Sequence, residues 1–389
     1  MSSTPSASVT ATMTTSAPPP TARAWEWTAR GMAWDVLRLN PARPVPTLPP
    51  PTPLPSDIDP AEEWLLIKVA FASLNAGAIF QMNLVPSVAR AANGVPEMDL
   101  SGTVVDTWRG DATTTPRFAK GDGVYAMLPA GYTLPTGSGA LAEFVRVPAR
   151  FAVLKPPHVS FSDAAAVGIA TLTAHEMIRS TTLNPGDRVL VNAASGGIGT
   201  MVVQMARAAV GKEGFVVGVC SGKNAAMVRD IGADEVVDYT QHPNVGAHLA
   251  ATYGPFDAAF DTLGHQALYL ASPTFLAPQA DYVSVGIKPP TFYVPDFLCA
   301  VLQMKLNEWW PTSRWLGGVG RKWVAVAMMS PTLPDREAAV YALAAGDIRV
   351  VRDSVWAFED ADKAYKHLGG LHARGKVLVK VDPTYKDDE

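Results

Sequence analysis

The chain is poor in the residues that mark several large functional classes. It has two cysteines, Cys220 and Cys299, in 389 residues, too few for a disulfide framework or a four-thiolate zinc site. Charged residues make up 17% and the formal net charge is −4, which argues against a nucleic-acid binder held by counterion release. The longest apolar runs, such as Phe215–Cys220 and Trp323–Met329, fall well short of a membrane span. The first 22 residues carry no charge and include 15 Ser, Thr or Pro, so residues 1–22 read as a disordered tail. That tail lacks the basic start and apolar stretch of a secretory signal. Its first arginines, Arg23 and Arg30, come late for a transit segment, which stays the alternative to an unprocessed tail. What remains is a cytoplasmic globular protein, monomer or homodimer, with a small-molecule substrate and neither nucleic acid nor membrane as partner.

Hydrophobic residues are plentiful, at 48%, and the length suits two domains. Ala24–Trp27 and Asp35–Leu39 read as short strands, and Pro41–Pro60, with nine prolines, as an extended loop, because proline supplies no ladder donor. Trp64–Phe71, Gly102–Trp108, Gly123–Leu128 and Ala142–Val147 follow as apolar runs divided by turns such as Lys120–Gly123, the spacing of an all-β unit. Ser160-Phe-Ser-Asp163 has the spacing of a capped helix start. From Asp187 onward strands (Arg188–Ala193, Phe215–Cys220, Glu235–Tyr239, Asp257–Thr262, Tyr282–Val285) alternate with helical stretches (Gly199–Val210, Asn224–Ile231), which predicts a helix-covered parallel sheet. After Gly286 comes a stretch with Trp309, Trp310 and Trp315, suited to an apolar cleft, a core or a subunit contact. Helix Asp335–Ala345, strand Ile348–Phe358, helix Ala361–Leu368 and strand Lys376–Val381 complete the chain.

The most informative stretch is Arg188-Val-Leu-Val-Asn-Ala-Ala-Ser-Gly-Gly-Ile-Gly199, a strand that runs through a glycine turn into a helix. Gly196 admits a pyrophosphate against bare backbone, Gly199 lets the helix approach its strand, and Ser195, Gly197 and Ile198 complete a turn that presents N–H groups and a positive dipole end to phosphate. Ala194 stands at the first glycine of G-x-G-x-x-G, so the match is imperfect. Val217–Asn224 contains no carboxylate to hold a ribose 2′-hydroxyl but does contain Ser221 and Lys223, which suit a 2′-phosphate; the expected cofactor is NADPH.

With these features the chain resembles the medium-chain dehydrogenase/reductase superfamily, and within it the zinc-free quinone oxidoreductase and enoyl reductase branch. The resemblance rests on "ASLNAG" around Asn75, "EMDLSGTVVD" at Glu97–Asp106, "KGDGVYAM" at Lys120–Met127, "GALAEFVRV" at Gly139–Val147, "ATLTAHEMI" at Ala170–Ile178, "IGADEVVDY" at Ile231–Tyr239, "FDAAFDTLG" at Phe256–Gly264 and "HARGKVLV" at His372–Val379. "WLGGVGRKW" at Trp315–Trp323 looks most like fungal members, some of which sit in secondary-metabolite pathways. The implied fold is α/β: a GroES-like β-domain (23–157) interrupted by a Rossmann doubly wound parallel-sheet domain (158–325), with 326–389 returning to the first.

The resemblance also implies site residues. Asn75 faces substrate and nicotinamide and is the candidate to hold the acceptor oxygen. Thr173 lies near the nicotinamide, Tyr239 near the adenosine phosphate, and Gly264, Gly286 and Ile287 line the cofactor. The family's Asp and Tyr after that asparagine are here Ala78 and Phe80, which keeps a non-catalytic NADPH-binding role as the alternative. Where zinc members have their first Cys and then Gly-His-Glu, this chain has Leu74-Asn75 and Pro96-Glu97-Met98, so no metal is expected. Of the seven histidines only His367 and His372 are near a metal-ligand spacing, and a surface or cofactor-lip role fits them better. Without a Lewis acid, hydride to a conjugated acceptor (enone, enoyl group or quinone) is favoured over ketone reduction at oxygen, the remaining alternative.

Overall fold

A computed structural model describes residues 17–113, 115–289, 291, 293–310, 312–326 and 331–386. The strands are β1 Thr21–Trp27, β2 Leu37–Pro44, β3 Trp64–Leu74, β4 Asp99–Trp108, β5 Gly123–Met127, β6 Phe144–Pro148, β7 Ala152–Leu154, β8 Arg188–Asn192, β9 Phe215–Cys220, β10 Glu235–Asp238, β11 Phe256–Asp261, β12 Leu276–Ser284, β13 Lys322–Ala325, β14 Arg352–Ala357 and β15 Lys376–Lys380. Among the described residues they form a two-stranded ribbon (β1-β2), a mainly antiparallel sheet in the order β14-β15-β3-β4-β5-β7 with β6 also on β3, and a parallel sheet in the order β10-β9-β8-β11-β12-β13. The fold is mixed α/β, a Rossmann-like parallel sheet beside a separate antiparallel one.

β3 organises the antiparallel unit. Its eleven residues are buried on nearly every position, as expected of a strand covered on both faces, and it pairs with β4, β6 and β15. Through β15 the C-terminal chain is drawn back into the first unit. In the parallel sheet β8 is flanked by β9 on one side and β11 on the other. The strand order therefore reverses direction at β8, and the crevice beyond its carboxyl end is where such sheets bind ligands.

Several local readings require correction. β1 starts at Thr21, inside the segment read as tail, because Thr21 and Ala22 pair with Pro44 and Arg43; residues 1–16 lie outside the described residues. Asp35 and Val36 belong to a helical turn, Ala33–Val36, and the strand expected over Asp35–Leu39 begins at Leu37. That strand runs to Pro44, so the proline-rich loop starts later than Pro41: in a two-stranded ribbon every strand is an edge, where a missing N–H is tolerated. The strand expected over Ile348–Phe358 is confined to Arg352–Ala357. Two helix starts match their local chemistry. Ser160 Oγ accepts from the Asp163 N–H at 3.1 Å, and Thr332 with Asp335 forms a reciprocal capping box that starts the helix at Leu333.

The tryptophan-rich stretch is not core. It folds into helix Val294–Trp309 and a following turn, leaving Leu298, Leu302, Trp309, Trp310 and Trp315 exposed, the last at 91%. Trp323, by contrast, is buried, stacked on Tyr282 with ring centroids 5.4 Å apart.

Candidate active site

Two neighbouring constructions meet at the crevice between the sheets. The first is the turn after β8. Helix Gly197–Val210 begins at Gly196, whose backbone is extended and which offers no side-chain cap, so the first N–H groups of the helix stay open to an anion. A Cβ on Gly199 would stand 2.2 Å from the Ala193 carbonyl oxygen, which only glycine permits. Ala194, the imperfect position of the motif, is fully buried. It is accommodated because Gly218 lies opposite, where a second Cβ would come within 3.0 Å of the Ala194 Cβ. Ser195 Oγ accepts from Asn224 Nδ2 at 3.1 Å, which ties the turn to the end of β9.

The rest of the crevice floor hangs on Asp261, a buried carboxylate at the end of β11. It accepts from Asn192 Nδ2 (2.8 Å), the Leu263 N–H (3.1 Å), the Gly264 N–H (3.0 Å), the His265 N–H (2.6 Å) and the Tyr282 hydroxyl (2.8 Å). The loops after β11 and β12 are joined by the Lys288 N–H to the Gly264 carbonyl at 2.9 Å. Gly264, Gly286 and Ile287 thus come together, although they are up to 23 residues apart in sequence.

At the outer rim Ser221, Lys223 and Tyr239 are neighbours. Cys220 pairs with Asp238 across β9 and β10, the Tyr239 N–H donates to the Cys220 carbonyl at 3.2 Å, and Lys223 is exposed. One correction follows. The absence of acid holds along Val217–Asn224, but β10 brings Asp238 to the same rim. Its carboxylate is held by the Thr240 N–H (2.9 Å) and hydroxyl (2.7 Å), which keep it below the usual carboxylate range.

The second construction surrounds Asn75. This residue precedes helix Ala76–Leu84 but makes no capping bond; its side chain turns inward instead. The Asn75 N–H donates to Glu97 Oε1 (2.9 Å), and Nδ2 faces three acceptors, the Ser73 carbonyl (3.1 Å), Glu97 Oε2 (3.0 Å) and Asp99 Oδ2 (3.1 Å). Asn75 Oδ1 accepts from Lys376 Nζ at 2.7 Å. With carboxylates on one side and an ammonium on the other, the amide has one favourable orientation. Tyr365 completes the group by donating to Glu97 Oε1 at 2.8 Å, and the Ile169 N–H donates to Asp99 at 3.0 Å. Asp99 reaches the start of helix Gly168–Arg179 because residue 168 is glycine: a Cβ there would lie 2.0 Å from Asp99 Oδ1.

Burial governs the electrostatics. Glu97 is 2% exposed, and desolvation drives its carboxyl up to about 7. Asp99 is pushed up and Lys376 down for the same reason. Glu97 also adopts a left-handed backbone, φ 74°, a conformation that costs a non-glycine residue about 1–2 kcal/mol and clusters at functional sites. None of Glu97, Asp99, Tyr365 and Lys376 stands out by spacing. Thr173 is buried in helix Gly168–Arg179, whose start Asp99 holds. Across the crevice Phe80 meets Phe297 of helix Val294–Trp309, ring centroids 6.4 Å apart, so one wall is apolar.

The chain is 34% identical over 382 residues to the medium chain reductase pydE of an Acremonium species, covering 93% of this chain and 99% of that one. The chain belongs to the medium-chain dehydrogenase/reductase family. This reductase is also 32% identical over 379 residues to the trans-enoyl reductase pgmF of Aspergillus terreus, covering 95% and 99% of the two chains. A zinc-binding dehydrogenase family model matches residues 231–379. The fold is shared with the quinone oxidoreductase from Coxiella burnetii (TM-score 0.69, 23% identity, 92% and 99% covered) and with a mycobacterial protein solved with NADPH (TM-score 0.67, 23% identity, 92% and 99% covered).

Zinc is the metal that a zinc-binding dehydrogenase family implies, and the donor set of this reductase does not fit the ion. Among the described residues no group of three or more His, Cys, Asp or Glu is arranged to hold a metal. Cys220 is buried in β9 and Cys299 is exposed on a helix. Burial pushes the Cys220 thiol up to about 11, away from thiolate. The carboxylates of Glu97 and Asp99 are occupied by amide, hydroxyl and backbone donors, with no imidazole or thiolate beside them. His367 is hydrogen-bonded to Asp353 at 2.6 Å and His372 is exposed.

Proposed function

We propose that this medium-chain reductase catalyses NADPH-dependent, zinc-independent hydride transfer to an activated double bond, an enone or enoyl group, or to a quinone, within fungal-type secondary metabolism and in the cytoplasm. The observation that carries the reading is the junction of an uncapped glycine turn with the Asn75 network in a crevice whose donor set does not suit zinc. Bound NADPH would supply a hydride from C4 of its nicotinamide. Gly196, Gly197, Ile198 and Gly199 bind the pyrophosphate through backbone N–H groups and the helix dipole. Ser221, Lys223 and Tyr239 receive the 2′-phosphate, and Gly264, Gly286, Ile287 and Thr173 line the dinucleotide. Hydride at the β-carbon moves the π electrons into an enolate, which takes one proton from solvent at the α-carbon; a quinone becomes the hydroquinone with one such proton. Such spread charge is stabilised by hydrogen-bond donors rather than a metal. The Phe80–Phe297 wall favours an apolar acceptor. Similarity to the medium chain and trans-enoyl reductases supports both the reaction class and the biosynthetic setting, and two free cysteines suit a reducing compartment.

The experiment is NADPH oxidation by purified protein on enones, enoyl thioesters, quinones and saturated ketones, with and without chelator. Turnover of a conjugated acceptor that survives chelation supports the reading. Alcohol formation from saturated ketones alone, or loss of activity that zinc restores, overturns it.

A further inference from the structure

Lys376 is 3% exposed, and its side chain spans the two halves of the site. The residue before it is stitched to the glycine turn: the Gly375 N–H donates to the Ser195 carbonyl at 2.8 Å, and Gly375 pairs with Gly196 in a parallel bridge. Its Cδ lies 3.1 Å from where a Cβ on Gly197 would stand, directly beside the helix start that receives phosphate in the reading above. The far end of the side chain donates to Asn75 Oδ1 at 2.7 Å and the Leu74 carbonyl at 3.3 Å, with Asp99 Oδ2 at 4.0 Å. A long aliphatic stem thus passes the dinucleotide turn and delivers its charge to the residue that faces the acceptor.

The same geometry qualifies the role of Asn75. Its Nδ2 has two hydrogens and three acceptors, so an acceptor oxygen must compete for one of them. An ammonium on the amide oxygen polarises the amide and strengthens its N–H groups as donors. It also offsets the charge of the two carboxylates that draw on those hydrogens.

Resting on the proposed reaction, we infer that Lys376 is a positioning residue that couples occupancy of the dinucleotide turn to presentation of the Asn75 amide to the acceptor. Lys376 acts through Asn75 and needs no contact with the acceptor. The charged and titratable groups facing the network are Glu97 and Asp99 from the segment leading into and starting β4, Tyr125 from β5, Arg336 from helix Leu333–Ala345 and Tyr365 from helix Ala361–Gly369.

The test compares wild type with Lys376→Met and Lys376→Arg in the full chain. With the best enone, Lys376→Met should lower kcat at least tenfold with the acceptor KM changed less than threefold. Lys376→Arg should recover part of the loss, and the pH midpoint of kcat should move upward in Lys376→Met, because Glu97 keeps its proton longer without the cation. A Lys376→Met enzyme with wild-type kcat overturns the inference. So does an equal loss in both variants with the pH midpoint unmoved, which marks a purely structural lysine. A readout independent of turnover separates this inference from the reaction itself. On NADPH addition, infrared difference spectra should show a protonated-carboxyl band that Glu97→Gln abolishes and Lys376→Met alters. A protein that binds NADPH and gives that band but reduces nothing refutes the reaction and keeps the coupling; binding with no such band refutes the coupling.

Discussion

Lys376 Nζ and Asn75 Oδ1 lie 2.7 Å apart although 301 residues separate them in the chain. The contact exists because the C-terminal strand β15 returns to pair with β3, placing Val377 opposite Leu74. The chain enters β15 past the glycine turn, where Gly375 bridges to Gly196, and leaves β3 into Asn75, so this single pairing brings the proposed dinucleotide and acceptor sides into one polar group.

Glu97 gives that group a pH signature. Its carboxyl, raised from 4.5 to about 7, binds a proton in the folded protein where the unfolded chain has lost it. Stability therefore falls as pH rises from about 4.5 to 7 and is level above that, by on the order of 3 kcal/mol for a fully buried group. Glu97→Gln should flatten this slope, so that its Tm relative to wild type climbs between pH 5 and pH 8. Parallel Tm curves would contradict the assignment.

Asp261 should be intolerant of change. Asp261→Ala leaves the donors of Asn192, Gly264, His265 and Tyr282 without their acceptor, at roughly 1–3 kcal/mol for each that stays buried and unpaired. The expected result in thermal unfolding is a Tm at least 5 °C lower, or insoluble protein, together with lost NADPH affinity.

The proposed role of the outer rim is a choice between dinucleotides. Lys223→Glu should weaken NADPH by about tenfold or more while NADH changes about twofold or less, since only the 2′-phosphate meets the reversed charge. Asp238→Asn should improve NADPH relative to NADH, because it removes a negative charge from the same rim. Fluorescence titration with both dinucleotides measures each effect; equal changes for the two would remove the rim from phosphate recognition.

The apolar wall has its own test. Phe297→Ala opens the space opposite Phe80, and the acceptor KM should rise more for bulky apolar enones than for small ones, with NADPH affinity kept. A uniform rise would place the wall away from the acceptor.

How much of this was legible in the sequence follows from chain distance. The dinucleotide turn is written in consecutive residues, Ser195 to Gly199, and its strand–turn–helix context is local. The alternating parallel sheet follows from the same locality. The polar group around Asn75 is assembled from four separate segments, and each of Glu97, Asp99, Tyr365 and Lys376 taken alone reads as an ordinary charged or aromatic residue. The hints lay in the quoted stretches "EMDLSG" and "HARGK", which hold three of the four, and in Glu97 standing where zinc members have their histidine. Asp238 escaped for a similar reason: counting along β9 misses what β10 carries to the same edge. Of the three settings open to the tryptophan-rich stretch, exposure of Trp309, Trp310 and Trp315 removes only the core; composition shows that the residues are apolar, not what they meet.

The proposed reaction is tested most directly by NADPH oxidation with a conjugated enone in metal-depleted buffer. Turnover should be unchanged by chelator, the product should carry a reduced carbon–carbon bond, and Lys376→Met should lose activity. Activity that requires added zinc, or a product reduced only at the carbonyl, would contradict it.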